Sequence, residues 1–246
     1  MKLWFRCALY AAAALPLAAQ MPKEEGITRQ QADEIIDELK QIRQLLERQQ
    51  ESKASDTADD EGPKPAKVGV QGAPMLGNKD APLTMVEFTD FQCPYCKKFY
   101  AETFAELKKN YIDSGKMRFF SRDLPLDFHP DAMRAAEAGR CAGAQGKFWL
   151  MRDVMQANPD KLDLDSLVAD AGGLNLDTKA FRDCLAGEKT KNDVQTDVME
   201  AMKIGADGTP AFVVGKSTAE GVDGEMIVGA MPYDTFDKAL KEAEAK

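Results

Sequence analysis

The sequence predicts an α/β domain built as strand–helix–strand, a long helical insertion, then strand–strand–helix, with an amphipathic helix ahead of it. Three observations predict this. A strand pattern over Leu83–Asp90 runs into a helical pattern over Cys96–Ile112, and Lys116–Arg122 (KMRFFSR) follows as a second core strand. Strand, crossover helix and strand at that spacing make a parallel βαβ unit with a right-handed crossover. Residues from Pro130 to about Gly205 are mostly helical in pattern, after which Ala211–Val214 and Glu225–Val228 read as tightly connected strands and Tyr233–Ala245 as a last helix.

Taken in order, residues 1–19 read as a signal peptide. Lys2 and Arg6 give a positive start, and Cys7–Ala19 is an apolar run of 13 residues. Such a run is too short to span a bilayer as a helix and suits the core of a secretory signal. Cleavage after Ala19 would remove Cys7 and leave Cys93, Cys96, Cys141 and Cys184, an even set that favours disulfides in an oxidising compartment, periplasmic or secreted. The loss of Lys2 and Arg6 takes the formal charge from −9 to −11. That balance argues against nucleic acid, which needs a basic surface.

Residues 20–50 hold the amphipathic helix. Between Thr28 and Gln50 there is no Gly or Pro, and Ala32, Ile35, Leu39, Ile42 and Leu46 recur at alternating steps of three and four. Placing Ala32, Leu39 and Leu46 at position a of a heptad puts Ile35 and Ile42 at d, a choice that favours three or four strands over two. So short a helix is marginal alone in water. Its stripe therefore needs cover, by other copies of the chain (a homo-oligomer through residues 28–50), by its own domain, or by a partner protein. Residues 51–67 (ESKASDTADDEGPKPAK) are polar, charged and proline-containing, and read as a flexible linker. The main domain is then 68–246, with a short strand near Val68, a loop through Gly77-Asn78, and the insertion at about 130–205.

The chemistry concentrates at Cys93-Pro94-Tyr95-Cys96, where the strand pattern turns into the helix. The N-terminal amides and dipole of a helix stabilise a thiolate, so Cys93 becomes nucleophilic near neutral pH and Cys96 is close enough to close a disulfide ring. Pro94 suits the first helical position, where a missing N–H costs nothing. A structural disulfide or a zinc pair uses the same spacing. Glu87 stands on an otherwise apolar strand, where a buried carboxylate has a raised pKa and can exchange a proton with Cys96. With His129 as the single histidine, a histidine-rich metal site is excluded, and His129 itself fits the ordering of a helix start.

The element order, C-P-Y-C at the first helix, Gly208-Thr209-Pro210 before a later strand, and the strings VEFTDFQCPYC, FHPDAMRAAEAGRCAGAQGKFW and IGADGTPAFVVG together resemble the DsbA-like thiol–disulfide oxidoreductases, which carry a helical insertion in a thioredoxin fold. The resemblance covers about Val68–Lys246. It implies that Cys93 is an exposed nucleophile, Cys96 the buried resolving cysteine and Pro210 a cis-proline beside the site, with Thr209 presenting backbone to an extended substrate. It also implies an acidic residue at Glu87 and a second disulfide between Cys141 and Cys184. No cofactor beyond the Cys93–Cys96 disulfide is expected, and no metal. One departure is Tyr95, where the best-known oxidases have histidine; one thiolate-stabilising group is lost. The partners implied are unfolded or misoxidised proteins and a membrane redox protein that resets the site.

Two directions stay open within this reading, a disulfide oxidase and an oligomeric isomerase. The helix and linker resemble the stalk of the ScsC-like branch, which favours the second. A periplasmic Cu(I) or metal-resistance thiol module, or a noncatalytic chaperone, is the alternative from a different class.

Overall fold

The computed structural model describes residues 29–31, 35–36, 38–41 and 64–245. The two compact units of the chain divide at Asp60. In the first, the described residues are helical and exposed, with Ile35, Ile36 and Leu39 at 47%, 48% and 59% exposure. The rest of the amphipathic helix, the signal segment and residues 51–63 lie outside the described residues.

The second unit is one mixed sheet flanked by helices. Its strands are β1 Lys64–Gly69, β2 Met75–Leu76, β3 Leu83–Thr89, β4 Met117–Asp123, β5 Ala211–Ser217 and β6 Gly221–Val228, in the order β1-β6-β5-β3-β4-β2. The β3–β4 pair is parallel and the others are antiparallel, as the crossover pattern predicts. β3 is buried at every position, which explains its near-continuous apolar run. Its Leu83 and Met85 enter the core formed with Phe99, Phe104, Phe119, Phe212 and Phe236, while Val86 and Phe88 enter the opposite core.

Helix α1 begins at Pro94 and runs to Phe99. It continues through a π-helical turn at Tyr100–Phe104, a short α segment at Ala105–Leu107 and a second π-helical turn at Lys108–Ile112. The sequence expectation, a plain helix from Cys96, therefore starts two residues late and misses both turns. The insertion contributes α2 Ala132–Ala144, α3 Phe148–Ala157, α4 Leu164–Gly173, α5 Thr178–Leu185 and α6 Glu188–Ile204, and the chain closes with α7 Tyr233–Ala245. Asp163 and Asp177 cap α4 and α5 by accepting backbone N–H bonds. The insertion has its own core around Phe148, Met151, Leu167 and Phe181, and Phe91 reaches into it from the end of β3.

Three boundaries differ from the sequence expectation for physical reasons. Lys64–Lys67, read as the end of the linker, is the first part of β1, paired with β6. β1 is an edge strand with Ala66 and Val68 buried, so polar residues and Pro65 are tolerated there. β2 is only two residues long, too short to leave a periodic signal. β6 begins at Gly221, because Gly221 and Gly224 mark close backbone approach inside the sheet; a Cβ at Gly224 would collide with the Val214 carbonyl.

Cys141 on α2 and Cys184 on α5, 43 positions apart in sequence, form a disulfide. Closing a loop of that length stabilises the folded state by about 4 kcal/mol in the chain-entropy model. The Cys141→Ala/Cys184→Ala double variant is expected to lose about 2–4 kcal/mol in urea unfolding, and a loss under 0.5 kcal/mol in that titration would remove the staple from the stability of the insertion.

Candidate active site

β3 ends at Thr89, and the chain turns through Asp90, Phe91 and Gln92 before α1. The turn is held by its own backbone and side chains: Cys93 N–H donates to the Asp90 carbonyl at 3.1 Å, and Gln92 N–H to Asp90 Oδ1 at 2.7 Å. Asp90 Oδ2 accepts Leu126 N–H at 2.9 Å and faces His129 Nδ1 at 2.7 Å, while Gln92 Oε1 accepts Asp131 N–H. The turn that presents Cys93 is thereby tied to the segment leading into α2. His129 acts on this buried carboxylate, a partner that its sequence position did not reveal.

Cys93 is the N-cap of α1, in an extended conformation (φ −71°, ψ 124°), with Pro94 directly after it. The two thiols are free. Cys93 was expected to be exposed, yet it is only 3% exposed, against 0% for Cys96. The cover comes from the segment entering the neighbouring strand β5: Cys93 Sγ lies 3.4 Å from the Thr209 carbonyl, and the Thr209–Pro210 bond is cis. Tyr95, at 58% exposure, presents its ring beside the site.

The two sulfurs have opposite acidities. Cys93 is lowered to about 5, first by the hydrogen bond from the Cys96 thiol, then by Thr209 and the N–H groups of Cys96 and Tyr95, against the opposing cost of burial. In its thiol form Cys93 donates to the Thr209 carbonyl, so ionisation gives up that contact and draws on these other donors. Cys96 is raised well above an ordinary thiol, first by burial and then by the neighbouring Cys93 and Glu87. The Asp90 N–H, 3.5 Å from Cys96 Sγ, pulls weakly the other way.

Glu87 is 0% exposed and its pKa is raised by burial, opposed by the charge and hydrogen bond of Arg152. The ion pair, Arg152 Nη2 to Glu87 Oε2, measures 2.8 Å. Arg152 was not among the residues singled out from the sequence. A signal existed in FWLMRDVMQA, since Phe148, Met151 and Met155 define the inward face of α3 and Arg152 falls on it. Glu87 and Thr209-Pro210 thus converge on the cysteines, whereas the Cys141–Cys184 bridge belongs to the insertion. Among the described residues no group of three or more His, Cys, Asp or Glu is placed to hold a metal ion.

A family model described as Thioredoxin matches residues 70–242. The Bacillus cereus "Probable disulfide bond formation protein D" is 30% identical over 154 residues, which are 58% of this chain and 70% of that protein. The "Na(+)/H(+) antiporter NhaA 3" of Salinispora tropica is 38% identical over 139 residues, 56% of this chain but 21% of the antiporter, so the chain spans about a fifth of the length of that relative. Among solved structures, BdbD from Bacillus subtilis in its oxidised form superimposes with a TM-score of 0.64 at 23% identity, covering 76% of this chain and 100% of that one; the likeness shows a shared fold, a DsbA-like one.

Because the Cys93 pKa is depressed in the folded protein, its thiolate contributes stability that is present above the ordinary thiol pKa and is lost as pH falls through about 5. Thiolate absorbance at 240 nm in the reduced protein is expected to titrate with a midpoint near pH 5, and Cys96→Ala to move it up by about one unit or more, since the largest stabilising group is removed. A midpoint above pH 8 in the parent protein would contradict the geometry.

Proposed function

The chain belongs to the thioredoxin family as a DsbA-like member, and from that premise we propose that it is an exported thiol:disulfide interchange enzyme acting on protein substrates. The observation that carries the reading is the opposed pair of thiols, an acidic Cys93 beside cis-Pro210 and a proton-retaining Cys96 behind it. Cys93 is the nucleophile and Cys96 the resolving thiol. When the site is oxidised, a substrate thiolate attacks Cys93 of the Cys93–Cys96 bond; a mixed disulfide forms and Cys96 leaves, taking up a proton. A second substrate thiolate then attacks the substrate sulfur, forming the new disulfide and expelling the Cys93 thiolate, whose low basicity makes it a good leaving group. Run from the reduced site, the Cys93 thiolate attacks a substrate disulfide. Cys96 resolves the mixed species, with Glu87 accepting its proton. The Thr209 backbone beside Cys93 supports an extended peptide lying across the nucleophile.

Residues 1–19 act as the export signal in this proposal, the site functions in an oxidising compartment such as the periplasm, and a membrane redox protein resets it. A second direction, isomerisation by an oligomer, is favoured by one observation: Ile35, Ile36 and Leu39 stand exposed on the described helical residues, an apolar stripe that further copies of the chain would cover.

Cys93→Ser is expected to lower insulin-reduction activity at least about 100-fold, and Cys96→Ser to accumulate mixed disulfides with client proteins, since attack remains and resolution is removed. Activity retained in Cys93→Ser sinks the enzyme reading. Scrambled-ribonuclease refolding by the mature chain with and without residues 20–50 separates the directions: recovery that requires the helix marks an isomerase, and sedimentation as a monomer in both forms would defeat the oligomer.

A further inference from the structure

Glu87 serves the resolving step only if its carboxyl is ionised when Cys96 must lose a proton, and burial alone opposes that. The counterweight comes from the insertion. Arg152, on α3, is the largest of the fully buried side chains among the described residues, at 0% exposure. Its guanidinium carbon lies 4.7 Å from the Phe104 ring centroid, 5.3 Å from Tyr100, 5.6 Å from Trp149 and 5.7 Å from Phe119. These rings come from the first π-helical turn of the catalytic helix, from β4 and from α3 itself. Tyr100 and Phe104 bracket that π-helical turn with their rings stacked at 5.8 Å, and the Tyr100 hydroxyl donates to Asp153 Oδ1 at 3.0 Å. The aromatic faces supply the cation with partial compensation for lost water.

The pair is not built for stability. It meets through one bond, Nη2 to Oε2, while Arg152 Nε and Nη1 and Glu87 Oε1 have no hydrogen-bond partner among the described residues. Buried ion pairs with unsatisfied groups are commonly matched or surpassed in stability by apolar residues of the same volume. The titratable groups that face Glu87 are Arg152 from the insertion and Cys96 from α1. The neutral Ser121 stands opposite it in register on β4, and the Thr89 hydroxyl lies two residues along β3.

We propose that Arg152 is a positioning residue that keeps Glu87 ionised to receive the Cys96 proton, so that the helical insertion sets the rate of the resolving step; this rests on the thiol-exchange reading above. In the mixed disulfide, the Cys96 S–H gives its proton to the Glu87 carboxylate, the Cys96 sulfur attacks Cys93, the Cys93–Cys96 bond forms, and the bond to the substrate sulfur breaks, with the electron pair leaving on that sulfur. Without the Arg152 charge, the burial that raises the Glu87 pKa is opposed by less, and a larger share of the carboxyl already holds a proton and cannot take a second.

Two readouts on the full chain test this. The side-chain carboxyl carbon signal of Glu87, assigned with Glu87→Gln, is titrated by NMR in the parent, in Arg152→Lys and in Arg152→Met. Glutathione release from the Cys93–glutathione mixed disulfide is followed against pH in the same proteins. Arg152→Met is expected to raise the Glu87 midpoint by at least about one unit and to slow release at neutral pH about tenfold or more, with Arg152→Lys in between and the pH profile of Cys93 alkylation unchanged. In the Glu87→Gln background, Arg152→Met is expected to change release less than about twofold. An unmoved Glu87 midpoint, or release profiles that superimpose while only stability falls, overturns the proposal; should Arg152→Met fail to fold, Arg152→Lys decides on the same criteria. A midpoint that moves in a protein whose parent never releases glutathione upholds the Arg152–Glu87 coupling and counts against the thiol-exchange reading alone.

Discussion

The register of β3 against β5 is the constraint on which the site depends. Phe88 stands opposite Ala211, so β3 ends where β5 begins. The residue run leaving β3 carries Cys93, and the run entering β5 carries Thr209 and Pro210; hydrogen bonding of the two strands brings them together across 116 residues of sequence. A one-residue slip would reverse every side chain of a strand that is buried on both faces. The close contact of Gly215 with Gly224 in the next pair holds β5 from its other side. The thiol and the cis-proline therefore meet through strand pairing in the core, with no need for loop flexibility to position either.

The insertion is fastened to this sheet by buried charge as well as by apolar contact. Arg140 of α2 bonds Asp123 at 2.5 Å and also Asp197 of α6, whose other oxygen takes Arg122 of β4 at 3.0 Å. Burial pushes Asp123 up to about 7, against the pull of Arg140. Such a network is a costly adhesive compared with leucines, since each ion has given up water. An insertion shifted by a few ångströms would strand several of these charges at once, a cost that apolar contacts do not impose. Arg152 repeats the pattern on the side of the sheet facing the catalytic helix, where the stranded charge would be Glu87 itself.

Much of this was legible in the sequence because single residues broke local patterns. Glu87 interrupts an apolar strand, Pro94 follows a cysteine at a helix start, and Thr209-Pro210 precedes a strand, each with a definite chemical use. The final helix, Tyr233–Ala245, lies where its periodicity places it. What stayed hidden has a common cause, namely that the partner is remote in sequence. Arg152 resembles any helical arginine until β3 supplies a carboxylate under it. His129 resembles a loop residue until Asp90 is seen to face it at 2.7 Å. Lys64–Lys67 has the composition of a linker because only Ala66 of that stretch turns inward, and the burial of Cys93 depends on a carbonyl from the other half of the fold.

The opposition of the two thiols also explains how a site can hold one proton firmly and still release it on demand. Cys96 is raised by burial, by the neighbouring Cys93 and by Glu87. In the proposed cycle the second of these causes disappears when Cys93 enters a mixed disulfide, because a sulfur bonded to substrate carries no charge and accepts no strong hydrogen bond. The remaining obstacles are burial, which does not change, and Glu87, which is the base that receives the proton. Resolution is thus released by the same bond that makes it necessary, and a free reduced site, with Cys93 ionised, keeps Cys96 protonated and silent. Two identical residues at one helix start acquire opposite acidities because Cys93 draws on the N–H groups of Cys96 and Tyr95, while Cys96 is buried and feels the Glu87 carboxyl.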